Sequence, residues 1–346
     1  MLITEIAKKA KVSPATVSRA INQPHIVAPD SLARIRSVME EHNYVPAPLN
    51  RRRGPKARMS EQRRIGVWFV GAKANNPSLN WFQDQLLHVQ STDSRYRVDL
   101  RVLFSNTPGE LPSGIATEKL DGLVFQGMEP WAACLAKLQD LPHVWFMTRR
   151  STSFAGDYVE PNNEENGRMA AEYLVKKGHK VVAVISTDPE YSAVARRVRA
   201  FVERAAELKL QVHTILGKSN PGVSYLEIAP LHGETDTLVR SLINSTPRAT
   251  GLYIPVDHFC GSFFRSLRNA GKKPGRDFEA ILGNYNPIIY HNLDHLPPAI
   301  DINLPTLVRK VIDHLMWRIE NPKAPGRIGI SVSPTLRLSD PNGRHP

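Results

Sequence analysis

The sequence is poor in the residues and runs that several functions require. It has 2 cysteines in 346 residues, Cys134 and Cys260. They form no C-x-x-C pair, which argues against zinc ribbons and thioredoxin-like redox chemistry, and one pair is thin material for a disulfide scaffold. Both read as buried, reduced thiols. No stretch approaches the roughly 18 apolar residues of a membrane helix. The N-terminus, MLITEIAKKAKVS, lacks the apolar core and small-residue cleavage site of a secretory signal, so a cytoplasmic location is expected. There is no G-x-S-x-G, no P-loop and no G-x-G-x-x-G. His291 and His295 are four apart, but Asn292 replaces the glutamate of H-E-x-x-H and two prolines follow at once, so no metal site is expected. Without a nucleophile, phosphate cradle or metal constellation, the chain is expected to be no enzyme and to need no cofactor.

What is present is ordinary globular composition with an uneven charge. Hydrophobic residues make up 41% and charged residues 23%, and the length suits two or three domains. The net charge is +12. Residues 1–64 hold 13 Lys/Arg and 5 Asp/Glu, whereas the remaining 282 residues hold 32 and 28. Two thirds of the excess therefore sits in a short basic head, as expected of a footprint on a phosphate backbone.

The head contains three helical patterns. The first covers 4–10, with Ile3, Ile6, Ala7 and Ala10 at helical spacing. Ser13 then offers an N-cap oxygen and Pro14 a first helical position for a second helix over 14–22. Pro29 opens a third, ending near residue 43, with Leu32, Ile35, Val38 and Met39 on one face. Two helices across a tight turn, braced by a third, make a helix-turn-helix whose second helix enters the major groove. Its outward residues are Pro14, Ala15, Thr16, Ser18 and Arg19. Arg19 suits a bidentate guanine contact or a phosphate, Thr16 can donate or accept, and Ala15 can pack on a thymine methyl. Residues 45–64, VPAPLNRRRGPKARMSEQRR, form a basic linker. Pro48 and the Gly54–Pro55 stop frame a short helix over 48–53 that would need a partner such as DNA to hold.

From Ile65 onward apolar strand-like runs (65–70, 98–104, 122–125, 144–147, 181–185, 212–216, 251–254 and 279–282) alternate with helical patterns (79–91, 130–139, 163–177, 192–208, 234–244, 258–270 and 305–320). That alternation predicts two doubly wound parallel sheets, with ligands at the carboxyl ends of their strands.

These residues together resemble the LacI/GalR family of bacterial transcription regulators over essentially the whole chain. The specific segment is V-S-P-A-T-V-S-R-A-I-N, a third helix and then N-Y-x-P. In the body, Leu120–Val124 looks like the family's D-G-(I/L) strand. Asn162–Asn163, Gly167, Ala170, Tyr173–Leu174 and Gly178–Lys180 look like its D-N…G…A…L…G-H-(R/K) signature. Ser192, Arg197 and Phe201 resemble S…R-x-x-G-F, and Asp257 and Gly283 stand at N-D and G-(Y/F)-D-D. The resemblance implies a homodimeric repressor on a near-palindromic double-stranded operator, with a body of periplasmic-binding-protein type whose cleft takes a small effector of carbohydrate type. It implies DNA contacts from Thr4, Ser13, Pro14, Ala15, Thr16, Ser18, Arg19, Asn22 and Tyr44, and from Leu49, Arg51, Arg52 and Arg53 in the linker. The expected organisation is a head over 1–46, a hinge over 47–64, an effector domain over 65–338 and a tail over 339–346. Within the body, the first subdomain is expected at 65–158 and 288–320, and the second at 159–287 and 321–338.

Three departures from the family stand out. Arg53 takes the place of the minor-groove leucine. This suggests that Arg51, Arg52 and Arg53 enter a narrow A·T-rich groove, or else that a basic tether touches phosphates. The acidic pair after Gly283 is replaced by Tyr285 and Asn286, a stacking ring and an amide. Asn162 replaces an aspartate and reads as subdomain linkage. The expected effector set is Asn76, Ser78, Gln126, Met128, Tyr191, Ser192, Arg197, Asp257, Tyr285 and Asn286. Arg197 leads because its planar fork suits vicinal hydroxyls, and Arg196 and Arg199 beside it read as surface arginines. A sugar-binding protein without a DNA head, or an enzyme on a doubly wound fold, would share the body but not the basic head or the missing catalytic motifs.

Overall fold

In the computed structural model the described residues are 3–22, 24, 27–42, 44, 62–72, 77–92, 97–138, 140–147, 156–189, 191–218 and 231–339. The linker residues Leu49, Arg51, Arg52 and Arg53, and Asn76, lie outside them. The chain divides into two units, Met1–Ser60 and Glu61–Pro346.

In the first unit, α1 (Ile3–Lys9), α2 (Pro14–Asn22) and α3 (Pro29–Glu41) follow the periodicity. Ser13 Oγ accepts from the N–H of Thr16 at 3.1 Å, the N-cap contact that starts α2. Lys11 takes φ 54 in the turn before it. The core is small: Ile6, Ala7, Ala10, Val17 and Ile35, with Val38, Met39 and Tyr44 packed against it.

The second unit is two α/β lobes. The first is built from β1 (Arg63–Val70), α4 (Pro77–Thr92), β2 (Val98–Ser105), α5 (Ser113–Thr117), β3 (Gly122–Gly127), α6 (Ala132–Leu135), β4 (His143–Phe146) and β5 (Asp157–Pro161). The second follows with α7 (Asn163–Lys176), β6 (Val181–Ser186), α8 (Ser192–Glu207), β7 (Gln211–Leu216), α9 (Leu231–Ile243), β8 (Gly251–Ile254), α10 (Cys260–Asn269), β9 (Glu279–Leu282), α11 (Pro287–Tyr290) and β10 (Ala299–Asp301). Then α12 (Leu304–Glu320) and β11 (Gly329–Val332) return to the first lobe and β12 (Thr335–Arg337) to the second. The strand orders are β2-β1-β3-β4-β5-β11 and β7-β6-β8-β9-β10-β12. All pairs are parallel except β10 with β12. Runs such as VVAVIS over β6 suit strands buried on both faces.

The division of the body differs from the expected one. β10 pairs in the second sheet and β11 in the first. Residues 288–301 therefore go with the second lobe, and 329–332 with the first. Neither strand exceeds four residues. Such short segments have no apolar run of their own and gain their place by pairing, β10 with β9 and β12, and β11 with the distant β5.

Among the described residues the chain crosses between lobes three times, at 161–163, 302–304 and 332–335. The crossings are tied together. The N–H of Asn162 donates to Val332 O at 2.8 Å, and Asn303 Nδ2 donates to Ser333 O at 2.7 Å. Asn303 takes the left-handed conformation, φ 56 and ψ 49, which asparagine tolerates better than most residues. Near the start of β5, Asp157 gathers α12 and the approach to β11. Its carboxylate accepts from His314 Nε2 at 2.8 Å, from Arg318 Nε at 2.7 Å and from the N–H of Ile328 at 2.9 Å.

Candidate functional site

The carboxyl ends of both sheets face one cleft with about 1060 Å³ of empty space, its open mouth included. That is the scale and position expected of a small-molecule site on this architecture. The first lobe supplies Gln126 at the end of β3, Phe146 and Met147 from β4, and Phe82 from α4. Phe82 and Phe146 stack with centroids 4.7 Å apart, making an apolar wall. The second lobe supplies most of the polar groups, from α7, α8 and the loops after β6, β8 and β9.

Arg197 is central and 3% exposed. Its Nε donates to Asn163 Oδ1 at 2.8 Å, and its Nη1 to Pro255 O at 2.6 Å and Gly283 O at 3.0 Å. Burial pulls its pKa below the usual arginine value. Protein oxygens thus hold much of the guanidinium in place. Gly167 makes this possible: a Cβ there would lie 2.2 Å from the carbonyl oxygen of Arg197, so α7 and α8 touch backbone to backbone.

Asp257 is buried, and burial raises its carboxyl pKa. Its Oδ1 accepts from Asn284 Nδ2 at 3.4 Å, while its Oδ2 has no partner within the protein. Asn163 Nδ2 is likewise buried without a partner. The cleft therefore presents one unmet acceptor and one unmet donor beside Arg197. Unpaired buried polar atoms are costly, and a ligand hydroxyl can answer either.

Of the expected effector residues, Gln126, Tyr191, Ser192, Arg197, Asp257 and Asn286 line the cleft. Asn286 also caps α11, accepting from the N–H of Ile288 at 3.0 Å. Met128 and Tyr285 are not among the lining residues. The Met128 side chain covers Gly71 and packs with the Trp68 cluster. The Tyr285 ring lies under the Arg337 guanidinium, 4.6 Å from its centroid. Alternation along extended chain explains the exchange: 284 and 286 face the cleft and 285 faces away. Ser78 lies in the first turn of α4, where only the backbone is described. Arg196 is not a free surface arginine. It forks onto Glu160 of the first lobe, with Nη1 to Oε1 at 2.9 Å and a second short contact from Nη2 to Oε2. Sequence reasoning also missed Asn163 and Asn284. The first hid beside Asn162, which caps α7 by accepting from the N–H of Glu165 at 3.0 Å. The second stands where the G-(Y/F)-D-D motif has an aromatic residue, so the motif assigns no polar role to that position.

In the head, Thr4, Ser13, Pro14, Ala15 and Arg19 are exposed and Thr16 and Ser18 partly so, while Val17 points into the core. The Ser13 and Thr16 hydroxyls lie 2.8 Å apart. Asn22 ends α2 with only its backbone described. Tyr44 leans on the head core.

Residues 2–47 match the family model described as bacterial regulatory proteins, lacI family. The chain is 23% identical to the PurR repressor of Edwardsiella ictaluri over 351 residues, covering 96% of this chain and 94% of that protein. It is 23% identical to the ribose operon repressor of Haemophilus influenzae over 350 residues, 97% of each. With the PurR repressor of Aliivibrio fischeri it shares 28% identity over 217 residues, about three fifths of the length of either chain. The fold is shared with the lac repressor dimer bound to operator and anti-inducer (TM-score 0.60, 16% identity, 97% of each chain). It is also shared with a CelR–cellobiose complex (TM-score 0.60, 17% identity, 98% of each chain). Matched head, relatives aligned over nearly the full length and a common two-lobed body agree: residues 2–47 are a lacI-family head, and the chain as a whole is similar to the LacI/GalR regulators.

Proposed function

We propose that this protein is a transcriptional repressor that acts as a homodimer on a near-palindromic operator, and that a small carbohydrate-like effector in the cleft sets its affinity for that operator. The observation that carries the effector half is the pair of unmet polar atoms, Asn163 Nδ2 and Asp257 Oδ2, beside the anchored Arg197. A hydroxyl both donates and accepts, so one sugar hydroxyl or a vicinal pair answers both atoms while the sugar's C–H face rests on the Phe82–Phe146 wall. The Haemophilus influenzae relative is a ribose operon repressor and the CelR structure is a complex with cellobiose, both pointing to the carbohydrate class. The DNA half is supported by the lacI-family match and by the exposed face of α2. There Arg19 is assigned to base-edge contact and Pro14, Ala15, Thr16 and Ser18 to the groove wall, with Thr4, Ser13, Asn22 and Tyr44 on the flanking backbone.

Two experiments test the halves separately. Thermal unfolding is followed across a panel of neutral sugars, sugar acids and sugar phosphates. A ligand at about 100 times its Kd should stabilise the fold by roughly 2.7 kcal/mol; a flat panel rejects the carbohydrate effector. For DNA, sites are selected from a random duplex pool and binding is compared for the parent and Arg19→Ala. A loss of about 1–3 kcal/mol on the selected site, with little change on random DNA, is expected for a base contact. Equal losses on both would reassign Arg19 to a phosphate.

A further inference from the structure

We infer that the edge of the second lobe remote from the cleft is a second polyanion-binding surface, fitted to the phosphate backbone of duplex nucleic acid. The five parallel strands β6, β7, β8, β9 and β10 all begin at this edge, so the segments leading into them, 176–180, 207–210, 244–250, 270–279 and 291–298, lie together along it. These segments carry eight cations, Lys176, Lys177, Lys180, Lys209, Arg248, Lys272, Lys273 and Arg276, against Glu207, Asp277, Glu279 and Asp294. Their net +4 equals the excess of the whole chain after residue 64, where 32 Lys/Arg face 28 Asp/Glu. The rest of the body is balanced, so the charge is concentrated at this edge rather than spread over a solvated surface.

The carboxylates here are held mainly by groups other than these eight side-chain cations: Glu279 accepts from the Tyr173 hydroxyl and lies 3.2 Å from His179 Nε2, Asp277 accepts from the N–H of Lys273 at 2.7 Å, and Glu207 pairs with Arg204 at 2.7 Å. Lys177 reaches Glu279 at 3.8 Å, Arg248 and Arg276 share Asp277 at 4.0 and 3.9 Å, and Asp294 pairs with Arg268 at 2.8 Å. Lys176, Lys180, Lys209 and Lys273 are exposed. Four helices, α7 to α10, end at this edge. Their carbonyl ends carry about −0.5 charge each, which offsets roughly half of the excess and leaves the remainder for a partner.

The composition favours phosphates over an acidic protein. Protein interfaces are built around aromatic and apolar anchors and are depleted in lysine. Among the described residues no large exposed apolar side chain lies in these segments, and six of the eight cations are lysines. Point charges without anchors suit sequence-independent phosphate contact. Strands of four to six residues separate this edge from the cleft, about 15–20 Å, so the surface is distinct from the effector site.

The test uses the full chain and a Lys176→Gln/Lys180→Gln/Lys209→Gln/Lys273→Gln variant, with unchanged thermal unfolding as the folding control. Binding of a random-sequence duplex is measured by anisotropy from roughly 50 to 200 mM salt, with poly-glutamate as a second probe. The contribution of the head is common to both proteins. The slope of log K against log salt is expected to flatten by about 0.9 for each lysine that meets a phosphate. Coincident DNA isotherms overturn the inference. If poly-glutamate binding is then lost in the variant, the surface docks an acidic protein; if neither probe distinguishes the variant, the lysines serve only the helix ends.

Discussion

The hydroxyl of Tyr191, at the start of α8 in the second lobe, donates at 2.7 Å to the main-chain carbonyl of Met147 at the end of β4 in the first. Five residues further along α8, Arg196 forks onto Glu160. One helix thus clasps the opposite lobe at two points while its neighbouring residues, Ser192 and Arg197, face the cleft. Met147 itself holds φ 48, a conformation that costs a non-glycine residue and persists only where its surroundings enforce it.

The clasp predicts a measurable opening. Tyr191→Phe removes one hydrogen bond, about 1 kcal/mol, from the state with the lobes together and nothing from the state with them apart. The population should move about fivefold toward the open form, and combination with Glu160→Gln should move it further. Small-angle scattering on the ligand-free protein reads the change as a larger radius of gyration. Identical scattering from parent and double variant would mean that other contacts hold the lobes.

Gly167→Ala should disturb the cleft without touching it. The new methyl meets the Arg197 carbonyl and the Phe201 nitrogen at 2.2 and 2.8 Å. Both are backbone atoms, so α8 must shift. Overpacking of this kind costs about 1–3 kcal/mol. Effector affinity should fall by more than stability alone explains, because the Asn163–Arg197 contact bridges the same two helices. Unaltered affinity in a folded Gly167→Ala protein would rule out this coupling.

Asp257→Asn separates stability from binding. Burial holds the Asp257 carboxyl above its ordinary pKa, so the folded protein keeps this proton longer than the unfolded chain does. Stability is therefore lost as pH rises from about 4 to the raised folded value, and is not regained above it. At pH 7 the amide variant should unfold at a higher temperature than the parent, and the difference should vanish toward pH 4. Because the amide nitrogen cannot accept, calorimetry should show effector affinity about tenfold weaker, roughly 1.4 kcal/mol. A variant less stable than the parent at pH 7 would contradict the assignment.

Asp157→Asn should do the opposite. Burial alone would raise this carboxyl, but bonds from Ile328 N–H, His314 and Arg318 outweigh it and hold its pKa below the ordinary value. The stability from this depressed acid is present above about 4 and is lost as pH falls through the folded value. The variant leaves the half-buried Arg318 without its counter-charge and should lose about 3 kcal/mol at pH 7. Denaturant titration should show the gap closing in acid. A gap independent of pH would mean that shape rather than charge matters at this position.

The sequence revealed more of the fold than of the site. Long apolar runs and helical spacing announced the eight expected strands and the longer helices, but not the short α5 and α11. β5, β10, β11 and β12 went unseen. β10, β11 and β12 have three or four residues each, too short for an apolar run to mark them. In the site, Arg197 and Asp257 were legible because their motifs carry them. Met128 and Tyr285 were misplaced because motif position does not say which way a side chain turns.

The sequence by itself determined a basic three-helix head, a doubly wound body and the resemblance of both to LacI/GalR regulators. Charge distribution, capping residues and hydrophobic period are local properties, written wherever the chain is read. Only the tertiary structure decided which lobe each C-terminal segment joins, that Asn163 and Asn284 face the cleft, and that Arg196 reaches Glu160. Those outcomes depend on contacts between residues far apart in the chain, and they are fixed by packing two lobes across three crossings.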